Sequence, residues 1–424
     1  MLRTNIFLIA VTCLVLLVPV LAQSTASSRQ LALADFLERA MTDHPLVKAA
    51  QTRLQGSEEF SRHVGVRPNP SVTVQTENWR AWQQPPFSFG RDIDLFIFGT
   101  QRLETAGKAA RRREYAEQQV EVMQSEIELL RRQLRQEITR NFWIANQAQI
   151  LLEILAENRS DLDQLVAYTG IRVREGYVAE SELIRARLEQ QTLAGQLAAA
   201  EQALEKAKLD LLKASGETSF DTGFRLLAAN EAEALRSPLL LANLDELRAQ
   251  AIQKRPEVIR LRAKVESEQA NLKLQQANAR PDWELSAGYK RTGGYNTFIS
   301  YVTVPLPFFN KNRAEIGRAA ALVNSAEQEL LAEENYVRAE VETAYRAARK
   351  LSERLETMRR DFLNQADESR NIALVAYREG AMDLYKVLET QRARNDARLL
   401  YHRTLQEFQQ SLMELALAVG GEGK

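Results

Sequence analysis

The chain has 424 residues, with 56 basic side chains balanced by 56 acidic ones, so it carries no net charge. That balance argues against a nucleic-acid partner held on a basic surface. Glycine and proline are scarce, at 18 and 11, and Ala, Leu, Glu, Gln and Arg abound, which is the composition of long helices.

Residues 1–22 have the layout of a secretory signal peptide. Arg3 gives the positive start, Ile6 to Val18 the apolar run, and Val20-Leu21-Ala22 a small-residue cleavage site. A retained anchor helix is the other reading of this run. Cys13, the single cysteine, lies inside the run after Thr12, which does not suit a lipid attachment site; the mature chain then has no thiol. No later stretch reaches the roughly 18–20 apolar residues of a spanning helix. A membrane-crossing part would therefore consist of strands.

Residues 23–216 form a first structural repeat. It begins with a helix expected over 31–66, in which Pro45 starts the longer piece, and Arg67-Pro68-Asn69-Pro70 ends it. Ser71–Asn78 (SVTVQTEN) and Asp92–Phe98 (DIDLFIF) alternate with a period of two, as strands do. Next come about 70 residues of helix-like sequence, broken only by Gly107 near the start and Gly170. In it Val120, Met123, Ile127, Leu130, Leu134 and Ile138 trace a heptad-like seam. At Gly176 the pattern is interrupted, and a returning helix of about 38 residues follows, with a seam that includes Leu183, Leu188, Leu193, Leu197, Leu204, Leu209 and Leu212.

Residues 217–243 lack this regularity and form a connecting equatorial segment, read as a small belt on the bundle. The second structural repeat, 244–424, then replays the first. Its helix over 244–279 has Pro256 where the first has Pro45, and Trp283–Lys290 and Thr297–Val304 are its strands around Gly293-Gly294. The tips read VREGYVAESELIRARL at 173–188 and YREGAMDLYKVLETQR at 377–392. Their glycines are 380 − 176 = 204 residues apart, as are the closing glycines, 420 − 216 = 204. The chain is a tandem duplication.

The expected fold is mainly α: long antiparallel coiled-coil helical hairpins in duplicated halves, with four strands per chain. Trp79, Trp82, Phe87, Phe89, Tyr289, Tyr295 and Tyr301 make both strand pairs rich in aromatics. Such a cluster suits the girdle of a membrane β-barrel, and it equally suits a soluble hairpin packed on helices. Four strands cannot close a barrel, and an open edge in lipid leaves amides unpaired. Membrane strands would therefore have to be pooled by several chains; three give twelve, an even count that outer-membrane barrels use.

This order of parts, from Leu31 to Gly420, resembles the TolC family of outer-membrane efflux channels. Two stretches resemble its heavy-metal-efflux, CzcC-like branch: Gly65-Val66-Arg67-Pro68-Asn69-Pro70 before the first strand, and Val304-Pro305-Leu306-Pro307-Phe308-Phe309-Asn310-Lys311-Asn312-Arg313-Ala314-Glu315-Ile316 after the fourth. Ala314 stands where the branch often has glycine. The resemblance implies a homotrimer in the cell outer membrane with a long periplasmic extension. It also implies a periplasmic adaptor (membrane fusion) protein and an inner-membrane RND pump as partners, no cofactor and no enzymatic role. The resemblance does not fix the cargo; metal cations are the expectation and organic compounds the alternative. A periplasmic coiled-coil scaffold without membrane insertion is the alternative reading.

The resemblance makes the tips, Arg174, Glu175, Gly176, Tyr177 and Arg378, Glu379, Gly380, Ala381, the expected contacts for the adaptor. Glu182, Asp383 and Glu389 just beyond them are candidates for an acidic ring at a narrowed pore mouth, which would favour cations; solvated helix surface is the competing reading. His44, His63 and His402 are too scattered to form a metal site. Arg111-Arg112-Arg113 and Arg131-Arg132 read as solvated faces or inter-helix pairs. Nothing in the sequence forms a catalytic constellation.

Overall fold

The computed structural model describes residues 29–80, 86–227 and 234–421. The signal-like residues 1–22 and Trp82 lie outside this set. The chain opens with a short strand, β1 (Arg29–Ala32), followed by α1 (Leu33–Asp43) and α2 (Pro45–His63). Pro45 sits in the first turn of α2, where its missing amide hydrogen costs nothing. The expectation of helix from residue 31 is corrected here: residues 31 and 32 belong to β1. That strand pairs in parallel with β4 (Phe224–Leu227), nearly two hundred residues later.

Strand β2 (Ser71–Glu77) agrees with the alternating pattern. The second strand, expected over 92–98, instead starts at Asp94 and runs as β3 (Asp94–Leu103), because Phe89–Asp92 winds into a helical turn, α3. The Asp92 carboxylate holds the turn, accepting from the Ser88 amide at 2.7 Å and from the Arg91 guanidinium at 2.8 Å. From the left-handed Gly107 the chain enters α4 (Lys108–Arg174), 67 residues long, or about 100 Å at 1.5 Å per residue. Helix α5 (Glu180–Ala214) returns alongside it.

Beyond β4 come α6 (Pro238–Leu241), α7 (Leu244–Lys254), α8 (Pro256–Asn278), β5 (Trp283–Thr292) and β6 (Tyr295–Thr303). The second rod, α9 (Arg313–Arg378), has 66 residues and turns into α10 (Leu384–Ala418). Both halves thus share one order: split helix, strand pair, rod, returning helix.

The seam expected in α4 packs inward, with Ile127, Leu134 and Ile138 buried. In α5 the leucine seam holds at Leu193 and Leu212, which are buried, and is corrected at Leu188 and Leu209, which are exposed; a buried line of Ala186, Leu193, Ala200, Ala207 and Ala214 runs seven residues apart throughout. Small side chains let the backbones of two helices come close, and a strict seven-residue repeat winds them into a left-handed supercoil. Adding 204 to each position gives Thr390, Ala397, Thr404, Ser411 and Ala418 in α10, again small and, beyond Thr390, all buried.

The core falls into three clusters. One gathers Phe36, Phe142, Trp143 and Phe224 at the waist of the first half. A second gathers Leu355, Phe408 and Leu415 in the second half. The third, around Leu165, Tyr377 and Leu384, lies toward the helix tips and joins the two hairpins.

Candidate functional site

Two surfaces stand at opposite ends of the rods. At one end, β2, β3, β5 and β6 form a single antiparallel sheet in that order, so the strand pairs of the two halves join through β3 and β5. The register sorts its side chains. Val72 pairs with Gly99, Val74 with Ile97, Leu285 with Val302, and Tyr289 with Phe298, so these residues share one face. On that face Val72, Val74, Ile97, Leu285, Phe298 and Val302 are all exposed. The opposite face carries Thr73, Gln75, Glu77, Ser286, Lys290 and Thr297.

Aromatics do enter the polar face, but with partners. Phe98 meets Tyr301 edge-on at 5.7 Å, and the Lys290 ammonium lies 5.2 Å from the centre of the Phe96 ring. Gly288 makes the central pairing possible: a Cβ there would sit 2.4 Å from the Phe98 Cα and 2.2 Å from the Ile97 carbonyl oxygen. An apolar, solvent-exposed face of this extent marks a surface made for another apolar medium. Among the described residues no helix is long and apolar enough to cross a membrane.

At the other end are the tips. Gly176 and Gly380 have φ of +79° and +77°, a region open to glycine and costly for other residues. The amide of Gly176 donates to the Val173 carbonyl at 3.1 Å and that of Tyr177 to Arg172 at 2.9 Å; Gly380 donates to Tyr377 and Ala381 to Ala376 in the same pattern. This paired closure ends a helix while satisfying its last carbonyls. Arg174, Glu175, Gly176, Tyr177, Arg378, Glu379, Gly380 and Ala381 are all exposed.

The three acidic residues beyond the tips occupy different settings. Asp383 caps α10, accepting the Lys386 amide at 2.9 Å. Glu389 is exposed, and Glu182 is half-buried, with the Tyr377 hydroxyl 3.5 Å from its carboxylate.

That last contact belongs to a cluster the sequence reading missed. Tyr377 is 1% exposed. Its hydroxyl lies 3.0 Å from that of Thr169, and Arg172 donates to its carbonyl at 2.8 Å while the guanidinium sits 4.9 Å from the ring centre. Tyr168 meets the same ring edge-on and donates to the Arg378 carbonyl at 3.3 Å. Burial raises the Tyr377 hydroxyl above the usual tyrosine range; the Thr169 bond opposes this and the Glu182 charge adds to it. The tyrosine therefore stays protonated and keeps its donor.

Farther from the tips the two hairpins are joined by ion pairs. Arg394 contacts Glu157 at 3.1 Å, Arg398 contacts Glu157 at 2.6 Å, and Arg370 contacts Asp161 at 2.8 Å. The duplication could not reveal the Tyr377 cluster, because 377 − 204 = 173 falls on a valine. A tyrosine three residues before a tip glycine, present in one half only, was the available signal.

Comparison with known proteins agrees with this architecture. Residues 247–421 match the family described as outer membrane efflux protein. The cobalt-zinc-cadmium resistance protein CzcC of Cupriavidus metallidurans is 24% identical over 358 residues, which cover 84% of this chain and 82% of that protein. The outer-membrane channel OprN superposes with a TM-score of 0.74 at 18% identity, covering 92% of this chain and 90% of its own. CusC gives 0.71 at 16% identity, covering 92% of each chain. VceC of Vibrio cholerae gives 0.70 at 16% identity, covering 92% of this chain and 97% of its own. The second half of the chain thus matches the outer membrane efflux protein family, and the chain along most of its length has the fold of these outer-membrane channels.

Proposed function

We propose that the chain is the exit duct of a tripartite efflux system, a homotrimer whose strands span the outer membrane and whose rods reach into the periplasm. The observation that carries this reading is the four-stranded sheet with one exposed apolar face and two free edges. One copy leaves the amides of β2 and β6 unpaired, which lipid does not tolerate. Three copies supply twelve strands, and closing them pairs every edge. β3 and β5, of ten residues, and β6, of nine, match the length needed to cross a bilayer at a tilt, while β2 has seven. The two hairpins of each copy then give six near-equivalent tips around one mouth.

Conduction involves no chemical step. The Tyr377 cluster and the ion pairs between hairpins hold a closed arrangement. A periplasmic adaptor meeting the Gly176 and Gly380 tips, and coupled to an inner-membrane RND pump, would shift the population toward a splayed one. Metal cations are the proposed cargo, supported by the named relative's resistance to cobalt, zinc and cadmium.

Glu182, Asp383 and Glu389 supply acidic charge to the mouth. The offset sets Lys386 against Glu182 (182 + 204) and Arg185 against Glu389 (389 − 204), so those rings alternate in sign. Asp383 corresponds to Ala179 (383 − 204), which leaves its charge as the uncompensated contribution.

Fractionation tests the reading. Heat-resistant trimers are expected in a detergent extract of outer membranes, and a deletion strain should become sensitive to divalent metal salts. Recovery of the mature chain as a soluble periplasmic protein would overturn the duct. Sensitivity to organic compounds alone would overturn the cargo. Gly176→Val and Gly380→Val should impair efflux and leave trimers intact.

A further inference from the structure

The two proline-marked stretches flank the two free edges of the sheet, at the same end. Residues 65–70 lead into β2 at Ser71, and residues 304–312 leave β6 after Thr303. Within one copy β3 and β5 lie between those edges. Three strand spacings of about 4.8 Å keep the stretches roughly 14 Å apart. Both nevertheless present apolar surface. Leu306 and Phe308 are exposed and Phe309 is completely so, at 102%; ahead of β2, Phe60 in the last turn of α2 and Val66 are more than 60% exposed.

Strand polarity decides what these surfaces meet. Each neighbouring pair in the sheet is antiparallel, so β2 and β6 run in opposite directions. Placing copies edge to edge therefore sets the end of β6 beside the start of β2 in the next copy. The backbone ladder cannot continue past that point: Pro68 and Pro70 on one side, and Pro305 and Pro307 on the other, have no amide hydrogen. Any continuation of the seam must come from side chains.

We propose that Phe308 and Phe309 of one copy clasp the Val66–Pro70 stretch and Phe60 of the next, sealing the seam where the barrel passes into the helical tube. The occupant of this aromatic surface is thus a second copy of the chain. The clasp rests on the ring reading above and adds to it a named contact. Aromatic rings on proline and valine bury area without needing hydrogen bonds, which suits a junction whose backbone offers none. It also accounts for two distinctive stretches, far apart in sequence, flanking opposite edges of one sheet.

Paired cysteines test the clasp in the full-length chain, with Cys13→Ser as background. One double variant, Asn69→Cys with Phe309→Cys, probes the clasp. A second, Glu77→Cys with Thr297→Cys, probes the far end of the same seam. Each is treated in outer membranes with a short bismaleimide, and the products are separated in denaturing gels. Dimer and trimer bands from both pairs, absent from every single variant, are the expected result. Bands from the far pair alone would overturn the clasp while keeping the ring, and would seat the aromatics in lipid. No bands from either pair would overturn the ring and the clasp together.

Discussion

Arg255 is 1% exposed, and a buried guanidinium survives only with partners on every side. It donates twice to Glu257 at 3.1 Å, to Glu340 at 2.7 Å, and to the Ala418 carbonyl at 3.4 Å. Arg132 of α4 bonds the same Glu257 and lies 3.5 Å from Glu340. One knot of charge thereby ties the first half to the second and closes the end of α10. Burial alone would raise the Glu257 carboxyl, but the Arg255 bonds and the charges of Arg132 and Arg255 outweigh it and hold it below the ordinary 4.5. A depressed carboxyl stabilises the fold above its unfolded value, and that stabilisation is lost as pH falls through the folded one. Unfolding by denaturant at a series of pH values should therefore show stability dropping below about pH 4.5. Glu257→Gln should cost about 3–5 kcal/mol at neutral pH, since it leaves two buried arginines short of charge, and should flatten that acid limb. An unchanged limb would assign the acid sensitivity elsewhere. Nothing in the sequence marks Glu257: Pro256 is legible as a helix start and Arg255 lies two residues away, but Arg132, the second arginine on the carboxylate, comes from α4, 125 residues away.

At the scale of elements, strands and rods were legible because each follows a period, while their limits were set by single side chains. The β3 start moved to Asp94 because the Asp92 carboxylate holds a helical turn, which a two-residue period cannot disclose. The α5 seam was legible at Leu193 and Leu212 and missed its alanines, because leucines were followed where close packing also selects small side chains. The parallel pairing of β1 with β4 joins two four-residue strands, too short to show any period. The faces of the sheet, by contrast, follow directly from alternation, and they give a paired test. Val74→Arg places a charge on the apolar face and should cost roughly 2–4 kcal/mol near mid-bilayer. Gln75→Arg, one residue on and on the other face, should cost far less. Folding yield into lipid vesicles, read as heat-resistant trimer, checks both. Equal loss from the two variants would mean that neither face meets lipid.

For the whole molecule, duplication was the most legible property, and a departure from its symmetry supplies the Tyr377 contacts that join the two hairpins. The tip glycines repeat after 204 residues, yet Tyr377 faces Val173 and Asp383 faces Ala179 across that offset. A perfectly repeated ring would give the two hairpins of a copy the same neighbours. Here the first hairpin offers Thr169, Arg172 and Glu182 to a tyrosine that only the second one has. Tyr377→Phe keeps the buried ring and removes the hydroxyl. A net hydrogen bond is worth about 1 kcal/mol, or roughly a fivefold shift in one protomer's opening equilibrium. If the three copies open independently, single-channel recordings in planar bilayers should show sub-conductance steps with open probability raised about fivefold. If they open as one, three such contributions multiply to roughly a hundredfold, with a single full-sized step. Long rods packed along their length favour the second outcome, because splaying one hairpin exposes the faces of its neighbours. Conductance identical to that of the unaltered channel would remove Tyr377 from the closing contacts and leave the ion pairs of Arg370, Arg394 and Arg398 to hold the mouth.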